Sequence, residues 1–153
     1  NIYGNLSFPQ SELDIPMPNN FYALGKYATE CIGMGYSDPF FTTVGLRIFL
    51  GYGPYEEKKG KLSSIAYQTL ISMMKNESPV IYGDGKQTRD FIYVTDIMEA
   101  FLASADLDDS LVVNVGTGVA TDFNQLIKTF GLIKPSTPTE TSPKDNMKTA
   151  ILE

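Results

Sequence analysis

The chain has 153 residues, 42% hydrophobic and 12% aromatic, with 12 basic and 18 acidic side chains for a net charge of −6. This suits one soluble globular unit, and offers no large positive field to recruit nucleic acid or an anionic membrane, so an anionic substrate has to be held by a few placed cations. Cys31 is the only cysteine and histidine is absent, which excludes an intramolecular disulfide, a Cys/His zinc site and any Ser-His or Cys-His nucleophile pair within these residues. No apolar run of about eighteen residues and no signal-peptide pattern occurs, so the expectation is a cytoplasmic chain.

Residues 5–19 hold Pro9, Pro16 and Pro18 among few apolar residues and read as an irregular loop. Asn19 or Asn20 then caps a helix from about Phe21 to Met34 that stops at Gly33 or Gly35, with a turn at Asp38 and Pro39. Thr42 to Leu50, with Val44, Leu46, Ile48 and Leu50 alternating, predicts a buried strand. A helix running into a buried strand is the rhythm of a parallel sheet. The glycine- and charge-rich loop Gly51 to Lys61 follows the strand's C-terminus, where open α/β sheets form their ligand crevice.

Leu62, Ile65, Ala66, Thr69, Leu70, Met73 and Met74 recur at helical spacing and predict a core stripe over Leu62 to Lys75. Val80 to Tyr82 and Phe91 to Val94 read as short strands about the turn Gly83-Asp84-Gly85. Thr95 caps the next helix, Asp96 sits in its first turn, and Ile97, Ala100, Phe101 and Ala105 form its buried side. Leu111 to Val115 is a strand, and Gly116-Thr117-Gly118 leads to a helix from about Asp122 to Phe130. That turn is not a dinucleotide fingerprint, because Thr121 stands at the third glycine position and the acidic residue that should follow is missing. After Gly131, Pro135, Pro138 and Pro143 predict an extended or poorly ordered tail.

Tyr22 and Lys26 stand four residues apart among good helix formers, so both side chains leave one helix face. A tyrosine, with an ordinary pKa of about 10, is a poor base at neutral pH, but a fixed ammonium beside it favours the phenolate, and the pair can then take a proton from an alcohol. The spacing alone also fits a surface pair with a half-buried ring. It is followed in order by GLRIFLGYGP (Gly45 to Pro54), GDGKQTRDFIYVTDI (Gly83 to Ile97) and NVGTG (Asn114 to Gly118). Together these motifs resemble the second half of the extended short-chain dehydrogenase/reductase family of NAD-dependent nucleotide-sugar epimerases and dehydratases, over Asn1 to about Gly131.

The resemblance implies an α/β fold: the C-terminal part of a Rossmann-like doubly wound sheet plus a small α/β substrate-binding domain. Residues 1–50 correspond to a remnant of the NAD-binding domain with the YxxxK helix. Residues 51–131 correspond mainly to the substrate-binding region with returning sheet strands, and residues 132–153 to a tail. Ile2 to Gly4 resembles the end of a strand just after the family's catalytic Ser or Thr, so the expectation is a fragment without that residue or the glycine-rich cofactor cradle.

By resemblance, Tyr22 exchanges a proton with a sugar hydroxyl, Lys26 supports it and binds the nicotinamide ribose, and both contact the cofactor, NAD or alternatively NADP. Arg89 matches the arginine for the nucleotide diphosphate, where its planar fork suits phosphate oxygens; a surface ion pair with Asp90 is the other reading. Val80 and Tyr82 lie where the family packs the substrate's base. The loop GPYEEKKGKLSS (Gly53 to Ser64) is similar to the ADP-glycero-manno-heptose 6-epimerase branch. There Lys59 matches an active-site lysine, and Leu62 falls in the substrate-facing segment; a solvated basic run with Lys58 and Lys61 is the alternative. Leu50 departs from an asparagine that relatives often use to hold substrate, which leaves the sugar open. The implied function is epimerisation of a nucleotide-diphosphate sugar, with a 4,6-dehydratase or a non-catalytic nucleotide-sugar binding module as alternatives. The intact protein is expected to be a homodimer.

Overall fold

The computed structural model describes residues 2–6, 9–36, 38, 40–81 and 83–132. In chain order the elements are α1 (Phe21–Gly35), β1 (Val44–Ile48), β2 (Leu50–Tyr52), a 3₁₀ stretch (Glu56–Leu62), α2 (Ile65–Met74), β3 (Thr88–Arg89), β4 (Phe91–Tyr93), α3 (Val94–Ser104), β5 (Leu111–Val115), β6 (Thr121–Asp122) and α4 (Phe123–Leu132). The expected tail lies outside the described residues. The chain forms two compact units, one of Asn1–Phe49 with Thr95–Gly118, the other of Leu50–Val94 with Val119–Glu153. The fold is α/β.

In the first unit β1 and β5 form a parallel ladder from Val44 opposite Leu111 to Ile48 opposite Val115. α1 starts where the Asn20 side chain accepts the Ala23 N–H at 2.8 Å, and it ends as the Tyr36 N–H reaches the Gly33 carbonyl at 3.0 Å. The expected strand Thr42 to Leu50 is shorter and interrupted. At its start the Thr43 N–H is taken by the Ser110 hydroxyl at 2.9 Å. Beyond Ile48 the donors change partner: the Phe49 N–H goes to the Val115 carbonyl at 3.0 Å, and the Leu50 N–H to the Asp90 carbonyl at 2.9 Å. Leu50–Tyr52 accordingly pairs in parallel with Phe91–Tyr93 in the second unit.

A polar network knits the first unit together. Arg47 on β1 donates from Nε and Nη2 to the two carboxylate oxygens of Glu30 on α1, at 2.9 and 2.8 Å, and from Nη1 to the Tyr3 hydroxyl at 2.7 Å. Tyr3, 3% exposed, donates in turn to Asn114 Oδ1 at 2.6 Å. The Asn114 side chain reaches the Gln10 carbonyl at 3.1 Å, and its backbone N–H donates to Glu12 at 2.7 Å. The Glu30 carboxylate raises the Arg47 pKa above its ordinary value, with help from Tyr3 and against desolvation.

The expected buried side of α3 is corrected. No residue of α3 is buried, Phe101 is 50% exposed, and Ala105 falls beyond the helix. A two-stranded ladder offers too little apolar surface to cover two helices.

In the second unit Ala66, Leu70, Ile92 and Leu126 are buried, and the rings of Phe91 and Phe123 lie 6.3 Å apart. The expected helix Leu62 to Lys75 begins only at Ile65, because Gly60 takes a non-helical conformation and the Ser64 hydroxyl caps α2 by accepting the Tyr67 N–H at 3.1 Å. Leu62 is consequently 88% exposed, outside the stripe, and Met74 is 41% exposed. The expected strand over 80–82 is absent at 80–81, and Pro79 supplies no ladder N–H beside it. The ladder here joins Thr88–Arg89 to Thr121–Asp122, antiparallel. The Asp122 carboxylate then accepts the Gln125 N–H at 2.7 Å, which starts α4 one residue later than expected.

Three stability outcomes follow. Gly4 has φ +60, and an added Cβ would collide with the Met17 carbonyl, so Gly4→Ala is expected to destabilise by about 1–3 kcal/mol in denaturant titrations. Gly25→Ala in α1, where the space is open, should be neutral or stabilising by up to about 1 kcal/mol. The Asn114 backbone N–H, followed by Glu12's own, holds the Glu12 carboxyl below the ordinary value of 4.5. Its contribution is complete above that value and is lost as pH falls through the lower folded-state value. Glu12→Gln should therefore flatten the acid limb of the stability curve while leaving its shape near neutral pH unchanged.

Candidate active site

α1 presents its core side through Ala23, fully buried, and the half-buried Tyr27, Glu30 and Met34, the i, i+4, i+7, i+11 spacing of one face. At about 100° per residue, Tyr22 and Lys26 share one flank of that stripe. Tyr22 is 65% exposed, and the Lys26 ammonium lies over its ring, 5.6 Å from the centroid. The spacing thus does bring the two side chains together, as a cation over a ring face.

The loop after β2 is organised by a residue that the sequence reading passed over. Glu56 is 3% exposed and accepts from the Gly53 N–H at 3.1 Å, the Ser64 N–H at 2.6 Å and the Ser64 hydroxyl at 2.8 Å. One carboxylate thus ties the end of β2 to the cap of α2. Lys59 Nζ stands 3.8 Å from Glu56 Oε2, with 60% of its side chain exposed. Lys58 and Lys61 are exposed beside it. A glutamate between a Gly-Pro turn and a Ser-Ser cap was the available sign, masked by the charge run around it.

Arg89 lies on β3, exposed, and its Nη1 donates to the Thr88 carbonyl at 2.6 Å. Val80 is 72% exposed and lies outside the strands. Tyr82 lies outside the described residues. Tyr22 and Lys26 belong to the first unit; Lys59, Leu62, Val80 and Arg89 belong to the second. Among the described residues no group of three His, Cys, Asp or Glu side chains is placed to hold a metal, and no helix is long and apolar enough to cross a membrane.

Over residues 1–116 the sequence matches the NAD dependent epimerase/dehydratase family. The chain belongs to this family. It is 34% identical over 139 residues to a putative UDP-glucose 4-epimerase of Methanocaldococcus jannaschii, an alignment covering 87% of this chain and 43% of that protein. ADP-L-glycero-D-manno-heptose-6-epimerase of Helicobacter pylori superposes with a TM-score of 0.77 at 30% identity, over 86% of this chain and 42% of that one. MoeE5 in complex with UDP-glucose and NAD also gives 0.77 at 30% identity, over 86% of this chain and 44% of its own. The chain thus spans less than half the length of these epimerase/dehydratase relatives. Toward the NAD of the family name, the donors present are an exposed phenol hydroxyl and an ammonium on one helix flank, a set that suits the paired hydroxyls of a ribose.

The loop predicts its own mutational asymmetry. Glu56→Ala removes three hydrogen bonds to a buried carboxylate and should destabilise by about 3 kcal/mol or more. Lys59→Met, at an exposed pair, should change stability by less than about 1 kcal/mol. Denaturant unfolding followed by circular dichroism separates the two.

Proposed function

We propose that the protein containing this chain epimerises a nucleotide-diphosphate sugar through a keto intermediate, with Tyr22 as the proton-transfer group. The Tyr22–Lys26 pair on one flank of α1, in a chain of this family, is the observation that carries the reading. Tyr22 takes the proton of the sugar hydroxyl and returns it to the carbonyl oxygen. Lys26 keeps a positive charge beside the ring and donates to ribose hydroxyls. NAD, when bound, would supply reversible hydride acceptance at the sugar carbon, with no net redox change. Arg89, exposed on β3, supplies a planar fork for the diphosphate. Lys59, whose Nζ lies 3.8 Å from the buried Glu56, serves the sugar by hydrogen bonding or as a second acid or base. The proposal takes in NAD over NADP, and a homodimer through α1, whose Phe21, Leu24 and Ile32 are 93, 50 and 63% exposed; sedimentation of the active protein as a monomer contradicts the dimer.

The family name also covers dehydratases, so loss of water from the sugar is the second outcome that an assay must register. A binding module is the third. Turnover is expected of the open reading frame that joins these residues to a glycine-rich cofactor-binding unit, and not of the 153-residue chain alone. In that protein Tyr22→Phe should lower kcat by at least about 100-fold while the nucleotide-sugar Kd moves by less than about threefold. Arg89→Ala should weaken binding by about tenfold or more. Unchanged kcat in the Tyr22 variant, or turnover by the 153-residue chain alone, contradicts the proposal.

A further inference from the structure

Lys26 stands four residues after Tyr22 and four before Glu30, so its ammonium has two helical neighbours at equal spacing, a phenol ring and a carboxylate. In the structure it lies over the ring, 5.6 Å from the centroid. The carboxylate is committed elsewhere: both Glu30 oxygens accept from Arg47, at 2.9 and 2.8 Å, with side-chain exposures of 9% for Arg47 and 14% for Glu30. Arg47 is itself held by the Tyr3 hydroxyl at 2.7 Å, with its guanidinium 5.0 Å from the Tyr3 ring centroid.

We propose that Arg47 is a positioning residue for the Tyr22–Lys26 pair, and that it acts by occupying the Glu30 carboxylate so that the Lys26 ammonium stays on Tyr22. The role rests on the proton-transfer reading of Tyr22 only for its catalytic consequence; the side-chain geometry stands without it. Guanidinium suits the task because its rigid fork satisfies both carboxylate oxygens at once, whereas a lysine at 47 would offer a single point charge. Without the fork Glu30 becomes a poorly solvated, uncompensated carboxylate one helical turn from Lys26. Attraction between Lys26 and Glu30 then outweighs the weak attraction of an exposed ammonium for a ring face.

The test reads the Lys26 ε-methylene protons by NMR in the folded 153-residue chain, assigned with a Lys26→Arg variant. Lying over the Tyr22 ring, they should resonate upfield of the exposed lysines. The shift should persist in Glu30→Gln, vanish in Arg47→Met, and return in the Glu30→Gln/Arg47→Met double variant. If Arg47→Met does not fold, Arg47→Lys is read in its place and should show a reduced shift. A purely structural pair predicts no such asymmetry between the two single variants. An upfield shift retained in Arg47→Met or Arg47→Lys, or lost in Glu30→Gln, overturns the proposal. In the active protein Arg47→Met should lower kcat by about tenfold with little change in KM, and the double variant should recover most of it. Shifts that follow this pattern in a protein without turnover uphold the role of Arg47 and defeat the epimerase reading alone.

Discussion

The bidentate pair between Arg47 and Glu30 is the constraint on which the first unit depends. It joins the helix that carries Tyr22 and Lys26 to β1, and through Tyr3 and Asn114 it reaches β5 and the segment around Gln10 and Glu12. Only Ala23 of α1 is buried, so apolar packing by itself holds this helix weakly. A largely desolvated ion pair is directional where apolar contact is not, and removing one partner of such a pair is far more damaging than replacing both. The rotation of α1 about its axis, and hence the direction in which Tyr22 and Lys26 project, is set by this pair at one end and by Ala23 at the other.

The second unit solves a related problem with a single carboxylate. Residues 53–64 hold two glycines and five charged side chains, a composition that by itself orders nothing. Glu56 accepts three hydrogen bonds from the two ends of this segment, and so turns a loop that carries Lys59 into a fixed arch. In both units, then, the proposed functional side chains are exposed while the groups that aim them are less exposed and hydrogen-bonded, the Arg47–Glu30 pair in the first and Glu56 in the second. That division is how a site keeps reactive groups accessible without leaving their direction to chance.

The elements legible in the sequence are those set by local chemistry. α1 was readable from its Asn20 cap and glycine stop, and β5, Leu111–Val115, from its four apolar positions. The break at Phe49 was not readable, because it depends on which distant carbonyl receives each N–H, Val115 for one residue and Asp90 for the next. Leu62 was misplaced because a helical period continues across a boundary that the Ser64 cap actually sets. The expected cover over α3 required surface that the two-stranded ladder does not provide. Of the site, the Tyr22–Lys26 juxtaposition followed from spacing, whereas Glu56 was hidden in a charge run. Glu30 could have been found, since a carboxylate in the core stripe of Ala23, Tyr27 and Met34 demands a buried partner.

Family membership and the Tyr22–Lys26 pair are the observations behind the proposed chemistry at a sugar hydroxyl. The most direct measurement is product analysis by NMR after the active protein is incubated in ordinary water with NAD and UDP- and ADP-sugars deuterated at every sugar carbon. Return of the same hydride predicts a product inverted at one carbon with deuterium retained there. Inversion with solvent hydrogen at that carbon, or binding without conversion, contradicts the account.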